Sequence, residues 1–243
     1  MGGVLMDRLD LLYGDNLIIN EKLVIKHPKL IDIKKLGYEK YNNYINLLSM
    51  TPIDIADVLW FENNIWFEDL NVWKFFISIY VQYPEIQDAL KWFTDLDFSV
   101  AENENGIYLY SENNHMAINE HFYMEILDFI KDINFIPDKS KLDISRAGNR
   151  KTKLYLLEQE RKKRNKKHKT KIDLSSIVSS LIWKSGNDNV WNLPIFTVYE
   201  GYFRLNAIDN YDKTVTALYS GNIDTTKTKI DLDKINWSNI ITI

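Results

Sequence analysis

Residues 70–83, with the sequence LNVWKFFISIYVQY, predict a helix that begins near Asp69 and is apolar on most of its faces. Its apolar positions are Val72, Trp73, Phe75, Phe76, Ile77, Ile79, Tyr80 and Val81. A helix with apolar side chains all round is buried in a core or covered by a partner. Pro84 opens a second helix, which carries Ile86, Leu90, Trp92 and Phe93. We therefore expect an N-terminal helical cluster built around these two helices.

Upstream of this stretch, local signals predict a hairpin followed by helices. Residues 17–25, LIINEKLVI, are two β-branched runs around an Asn-Glu-Lys turn, which is typical of a hairpin. Pro28 can open the following helix as its first residue, and apolar residues recur at helical spacing from Leu30 to Met50, with a break at Gly37. Thr51 and Pro52 predict another helix start, because a hydroxyl cap precedes proline at the first helical position.

In the middle of the chain the pattern changes to alternation of apolar and polar residues, at 98–100 and 107–110. The segment between these runs ends in Asn-Gly, which is a strong turn signal, so a second hairpin is expected. Asn119 is expected to cap a helix that Pro137 terminates.

Together these patterns predict a mainly helical α+β fold, with small β-hairpins near the N-terminus and mid-chain. Residues 1–137 are interpreted as an N-terminal α+β domain. Apolar residues become sparse in residues 138–172, which are interpreted as a charged basic linker that includes an exposed helix. Residues 173–243 are interpreted as a C-terminal helical domain, in which Asp173 caps the first helix.

A dense block of positive charge lies in the predicted linker, although the chain of 243 residues has a net charge of -4. Eleven basic and two acidic residues lie between residues 150 and 171, which gives this segment a charge of +9. Its basic patch consists of Arg161, Lys162, Lys163, Arg164, Lys166, Lys167 and Lys169. Such a block suits a solvated tether, an acidic protein partner or the phosphates of nucleic acid. Tyr155 and His168 are the only side chains of this segment with a ring, so it offers few surfaces on which nucleic-acid bases could stack. Nucleic acid is therefore the less favoured partner.

The sequence offers few candidates for catalysis. It contains no cysteine, no phosphate-binding glycine loop and no G-x-S-x-G motif. His115, His121 and Glu125 are conceivable zinc ligands, and the Asp95-Leu96-Asp97 segment resembles a magnesium site. Ordinary surface and capping roles explain both sets better. We therefore predict a non-enzymatic protein with no catalytic, cofactor-binding or metal-binding residues and no cofactor. Since no window approaches the ~20 apolar residues of a spanning helix, no membrane association is expected.

The C-terminal part is rich in aromatic residues and predicts one long helix or two shorter ones over residues 191–219. Its candidate partner-binding face is made of some of Trp191, Phe196, Tyr199, Tyr202 and Phe203. Tyr202 lies about 100° around the helix from Phe203, so one modest core cannot receive all of these side chains. The alternative interpretation is that the N-terminal helices cover all five.

Several stretches spread over most of the chain carry a further signal, through their packing and capping patterns. They are YGDNLIINEKL (residues 13–23), IKHPKL (25–30), MTPID (50–54), VWNLPIFTVYE (190–200), DNYD (209–212) and LYSG (218–221). In these stretches the chain resembles the tail assembly chaperones of bacteriophages that infect Gram-positive hosts. Such proteins are encoded near the tail tube and tape measure.

The resemblance implies a function through binding rather than catalysis, in the host cytoplasm and without a cofactor. The implied partner is the phage tape measure protein, a long, helical and aggregation-prone chain that is kept soluble until tail tube protein polymerises around it. The tail tube protein and a second copy of the chain are further partners to consider. The alternative function is a structural tail or connector protein that is retained in the virion. A third hypothesis is a phage protein that binds nucleic acid or interacts with host defence.

Overall fold

The computed structural model describes residues 6–104, 106–137, 143–164, 173–186, 189–220 and 230–241. The helices are α1 (Arg8–Tyr13), α2 (Leu30–Leu36), α3 (Tyr38–Leu48), α4 (Ala56–Asn63), α5 (Val72–Gln82), α6 (Pro84–Thr94), α7 (Glu120–Ile133), α8 (Asp143–Arg146), α9 (Arg150–Arg164), α10 (Leu174–Ser185) and α11 (Ile195–Tyr219). The strands are β1 (Leu17–Asn20), β2 (Leu23–Ile25), β3 (Ser99–Asn103), β4 (Gly106–Ser111) and β5 (Met116–Ile118). Short 3-10 helices cover Pro52–Ile55, Phe67–Asp69 and Val190–Asn192. The strands form one two-stranded and one three-stranded sheet, so the predicted mainly helical α+β fold is confirmed.

The N-terminal hairpin lies where the sequence predicts it. Strands β1 and β2 are antiparallel, with Leu17 opposite Ile25. The turn forms because the side-chain oxygen of Asn20 accepts hydrogen bonds from the backbone N–H groups of Lys22 and Leu23, at 2.9 and 3.0 Å. Leu17, Leu23 and Ile25 are buried, so one face of the hairpin belongs to the core.

The next helix begins at Leu30, where the predicted helical pattern begins, and Pro28 lies outside it. The reason is that the backbone around Pro28 pairs with the C-terminal part of the chain. The Pro28 carbonyl accepts a hydrogen bond from the N–H of Ile195 at 2.9 Å, and the N–H of Leu30 donates to the Leu193 carbonyl at 3.0 Å. The predicted break is present at Gly37, whose φ of 94° favours glycine.

The helix start at Thr51 is present, but its first turn is a 3-10 helix, Pro52–Ile55, that leads into α4. The Asp54 carboxylate accepts two hydrogen bonds from Thr51, from the backbone N–H at 2.8 Å and from the hydroxyl at 2.6 Å. The Asp54 carboxylate thus provides a hydrogen-bond acceptor for the backbone N–H of Thr51, and the Thr51 hydroxyl orients this carboxylate.

The Thr51 side chain accepts no cap hydrogen bond, and its hydroxyl donates to Asp54 instead. Replacing Thr51 by alanine is expected to lower the free energy of unfolding by about 1 kcal/mol, the usual net contribution of one hydrogen bond. The loss arises because the Asp54 carboxylate keeps one of its two partners on Thr51 instead of both. Urea denaturation of Thr51→Ala and Thr51→Ser measures it, and the serine variant, which retains a hydroxyl, should keep most of the stability. An alanine variant as stable as the wild type would contradict this role.

The mid-chain hairpin is also present, together with a third strand that the sequence did not predict. Leu109 of β4 lies opposite Val100 of β3 on one side and opposite Ile118 of β5 on the other. Strand β5 has only three residues, which is too short for alternation to be visible. Asn119 caps α7 as predicted, since its side-chain oxygen accepts the N–H of Phe122 at 3.0 Å.

Helix α5 lies in the main hydrophobic core, as its composition predicts. The ring of Phe76 stacks on that of Tyr123 in α7, with 4.1 Å between their centroids. The indole N–H of Trp73 donates to the Ile107 carbonyl of the three-stranded sheet at 2.9 Å. Val81 is 61% exposed, so the helix is buried on most sides but not on all.

The hydroxyl of Tyr123 is buried, and it has no hydrogen-bond partner among the described residues. Burial therefore raises the pKa of this group. We expect Tyr123→Phe to be neutral or to stabilise the protein by up to about 1 kcal/mol, because an unsatisfied polar group is removed from the core. Urea denaturation measures the change. A clear loss of stability would show that the hydroxyl is satisfied by a group such as an ordered water.

The main core continues across the predicted linker into the C-terminal part. Ile177 and Leu181 of α10 are buried in the same core as the N-terminal helices, and so are Ile195 and Val198 of α11. The described parts of the two predicted domains therefore share one core. The division of the chain into three segments stays a prediction.

The helix that was expected to be exposed within the linker is α9, and this expectation is corrected for one of its faces. Leu157 is 2% exposed and joins a second, smaller core with Leu59 and Trp66. The opposite face is exposed, as Tyr155 shows with 61% of its surface accessible. The four residues LYLL at 154–157 are the apolar part of an otherwise charged helix, and they provide the side chains that pack.

Candidate partner-binding surfaces

Helix α11 carries most of the predicted partner-binding residues, and only its beginning is buried. Of its 25 residues, only Ile195, Phe196 and Val198 are buried. The first turn is fixed by the backbone pairing with Pro28 and by a hydrogen bond of 2.7 Å from the Thr197 hydroxyl to the Leu12 carbonyl. From residue 199 onwards, every residue of the helix is partly or fully exposed.

The structure places one of the five predicted aromatic residues firmly in the core. Phe196 is 4% exposed, stacks on Phe135 at 4.9 Å and has the Arg8 guanidinium 5.5 Å from its ring centroid. Phe196 is thus buried in the structure, and its part in the predicted partner-binding face stays a prediction. Tyr199 is half-buried and shares a hydrogen bond with Tyr38, and burial raises the pKa of the Tyr199 hydroxyl.

The other three predicted residues are more accessible but do not form one surface. Tyr202 and Phe203 contact each other edge to face at 5.7 Å, and Phe203 also contacts Phe135 at 5.4 Å. Trp191 precedes α11, is 38% exposed and has the Lys34 ammonium 4.9 Å from its ring centroid. No ring contact joins Trp191 to the other four within the described residues. The partner-binding role stays a prediction for Trp191, Tyr199, Tyr202 and Phe203.

A second set of apolar residues on α11 was not selected from the sequence as a surface. We call it the α11 stripe, and it consists of Ile208, Tyr211, Val215 and Leu218. Its 3-4-3 spacing places all four side chains within about 80° of one another around the helix. All four are partly exposed, and none of them belongs to either hydrophobic core that the described residues form. The spacing itself was the signal by which this stripe could have been found.

Two contacts hold α11 in place beside α10. A Cβ atom on Gly201 would lie 3.3 Å from a methyl group of Leu181, which shows how closely the two helices approach. The Lys184 ammonium donates a hydrogen bond to the Asp209 carboxylate and forms an ion pair with it. This hydrogen bond lowers the pKa of Asp209. The first residue of the α11 stripe, Ile208, is therefore next to the residue that forms the ion pair with α10.

The basic patch is only partly described. The Arg161 guanidinium lies 5.0 Å from the ring centroid of Phe61, and the Lys162 ammonium pairs with Glu158 at 2.8 Å. Lys163 and Arg164 are the last residues of α9, and only their backbone is described. The remaining members of the patch, Lys166, Lys167 and Lys169, lie outside the described residues. Both described side chains are thus engaged within the protein.

The candidate metal ligands do not converge. His121 contacts Glu125 at 3.3 Å, whereas His115 contacts the Tyr110 hydroxyl at 3.1 Å. Within the described ranges, no group of three His, Asp or Glu residues is placed to hold a metal ion.

The paired aspartates also have separate partners, since Asp95 pairs with Lys26 at 3.3 Å and Asp97 with Lys91 at 2.8 Å. Each carboxylate is therefore already neutralised by an ammonium group. That the protein is not an enzyme stays a prediction. None of the described helices is both long enough and apolar enough to cross a membrane.

Comparison with known proteins adds one family. The family described as YomV second domain matches residues 163–242, which is about a third of the chain. This family is phage-derived, and the match suggests a phage protein. The matched residues include all of α10 and α11, and hence the α11 stripe. No curated protein and no solved structure matches the chain.

Proposed function

We propose that the protein is a non-enzymatic chaperone or scaffold of phage tail assembly, which binds the tape measure protein in the host cytoplasm before the tail tube protein polymerises around it. The observation that carries the proposal is the α11 stripe. The stripe is an apolar face of a long helix, and the residues of the stripe belong to neither core that the described residues form. The family match supports the phage context and leaves the activity open.

The geometry of the stripe suits a helical partner. Apolar residues that alternate three and four positions apart form the seam along which two helices pack side by side. Helix-in-groove recognition uses anchors with this same spacing. A tape measure protein is long and helical, and its apolar faces have to be covered before the tube forms. The stripe offers a matching apolar face about three turns long.

Val215→Asp tests the proposal in the middle of the stripe, with Thr216→Asp as the matched control. Thr216 is exposed and lies about 100° further around the helix, so the control introduces the same charge beside the stripe and not in it. Each variant is co-expressed with the tape measure protein, and the amount of tape measure protein that co-purifies is compared with the wild type. Melting temperatures within about 4 °C of the wild type show that a variant is folded.

Val215→Asp is expected to lower co-purification at least tenfold, which corresponds to about 1.4 kcal/mol, because a charge enters the contact. Thr216→Asp should behave as the wild type. Leu218→Asp repeats the test in case Val215→Asp disturbs the fold. If folded stripe variants retain as much tape measure protein as the control, the stripe is not the binding surface.

A further inference from the structure

Helix α9 packs on an aromatic groove formed by α4 and the two neighbouring 3-10 helices. We use the name aromatic groove for Trp60, Phe61 and Trp66. Trp60 and Trp66 pack with the buried Leu59 in the smaller core, whereas Phe61 is 40% exposed. From the other side, Leu157 of α9 is buried in this small core. The interface is therefore apolar at its centre.

The basic residues of α9 line the edges of this interface. The Arg150 guanidinium lies 4.7 Å from the ring centroids of both Trp60 and Trp66, whose rings are perpendicular to each other. At the other end, the Arg161 guanidinium lies 5.0 Å from the centroid of Phe61. A cation above an aromatic ring is attracted to the electron-rich face of the ring. The two arginines thus hold α9 at both ends of the groove.

An acidic residue beside the groove, Glu68, also contacts α9. The Glu68 carboxylate accepts a hydrogen bond from the indole N–H of Trp66 at 2.9 Å and forms an ion pair with Lys153 of α9. These interactions, the contact with Lys153 above all, lower the pKa of Glu68. The face of α9 that packs here therefore carries a leucine flanked by cations.

Several cationic side chains of α9 contact other groups of the protein, although most of them remain exposed to solvent. Arg150, Lys153 and Arg161 contact the groove, and Lys162 pairs with Glu158 on the same helix. Four of the five basic residues of α9 whose side chains are described are therefore engaged within the chain. These contacts support the docking of α9 on its own chain.

The groove and α9 are also separate from the main core. Among the described residues, the main core contains none from the 3-10 helix Pro52–Ile55, from α4 or from α9, and the buried residue of α9 belongs to the smaller core. Departure of α9 would leave the main core intact and would expose the rings of the groove. Segments attached through few buried contacts are those that open locally in native proteins.

We propose that the aromatic groove is a docking site for a basic amphipathic helix and that α9 occupies it within the same chain as a releasable cover. The pattern that a competing helix needs is the one that α9 shows, with arginines at the ends and a leucine at the centre. This groove is distinct from the α11 stripe, and the proposal does not depend on the partner of that stripe.

The test uses the full-length protein and a fluorescent peptide with the sequence of residues 143–164. In Leu157→Asp, a charge replaces the buried leucine and releases α9, so the peptide should bind in its place. Tyr155→Asp puts the same charge on the exposed face of α9 and is the matched control. The peptide should bind Leu157→Asp at least tenfold more tightly than it binds the wild type or Tyr155→Asp. Adding Trp60→Ala to Leu157→Asp should remove the binding.

Equal binding to the wild type and to Leu157→Asp, or no binding to either, would overturn the proposal. Hydrogen exchange of the wild-type protein provides a second measurement that needs no variant. The amides of α9 should exchange at least tenfold faster than those of α7, because α9 opens alone. Exchange of α9 as slow as that of α7 would show that the helix is a permanent part of the fold, and would equally overturn the proposal.

Discussion

Phe76→Ala is expected to lower the free energy of unfolding by about 3–5 kcal/mol, the cost of emptying a large aromatic site in a core. Phe76 is 1% exposed and contacts three rings, those of Trp73, Tyr80 and Tyr123. The ring of Tyr123 belongs to α7, so the substitution weakens the contact between two helices. A loss of this size is a large part of the 5–15 kcal/mol that stabilises most domains.

Val81→Ala is the matched control, since it lies on the same helix and is 61% exposed. It should change the stability by no more than about 0.5 kcal/mol. Urea denaturation, followed by circular dichroism, measures both variants. Comparable losses for Phe76→Ala and Val81→Ala would contradict the position of α5 in the core.

Acidification is expected to destabilise the protein through His27. Its ring is buried against Phe129, and burial lowers the pKa of His27 from 6.5 to about 4. Nδ1 lies 3.3 Å from the Asp15 carbonyl, and Nε2 has no hydrogen-bond partner in the part of the chain that the structure describes. An imidazolium ion at this place would therefore bring an unsatisfied donor into the core.

The direction of the effect follows from the two protonation states. Between pH 6.5 and about 4 the unfolded chain binds a proton at His27 and the folded chain does not, so stability falls as the pH falls through this range. Lowering the pKa of His27 from 6.5 to about 4 corresponds to a loss of about 3 kcal/mol at the acidic end of this range. Above pH 6.5 the contribution is fully present.

His27→Asn isolates this contribution, because its amide does not titrate and can still donate to the Asp15 carbonyl. The free energy of unfolding is measured from pH 7 to pH 4 for the wild type and the variant. The wild type should lose about 3 kcal/mol more than the variant over this range. Parallel pH profiles would show that His27 is not held neutral in the folded protein.

Features that depend on neighbouring residues could be predicted from the sequence. The apolar run of α5 predicts a buried helix, and most of its large side chains are buried. The caps at Asn119 and Asp173 follow from short polar side chains before apolar runs, and both accept the expected backbone N–H groups. The hairpin at Asn20 depends on four consecutive residues.

Features that depend on distant parts of the chain could not be predicted. The pairing of Pro28 with Ile195 determines where α2 begins, and nothing near Pro28 in the sequence indicates it. The packing of α9 follows from Trp60 and Trp66, which lie far from Arg150 in the chain. For the same reason the sequence did not show that Phe196 is buried, since its neighbour Phe135 lies in the segment just after α7.

The most direct test of the proposed function is whether the wild-type protein keeps the tape measure protein soluble. The tape measure protein is expressed alone and together with this protein, and its soluble fraction and its elution in size-exclusion chromatography are measured. We predict that it is insoluble alone, and that with this protein it is soluble and elutes with it at a fixed ratio. A tape measure protein whose solubility does not change, and which elutes separately from this protein, would contradict the proposed function.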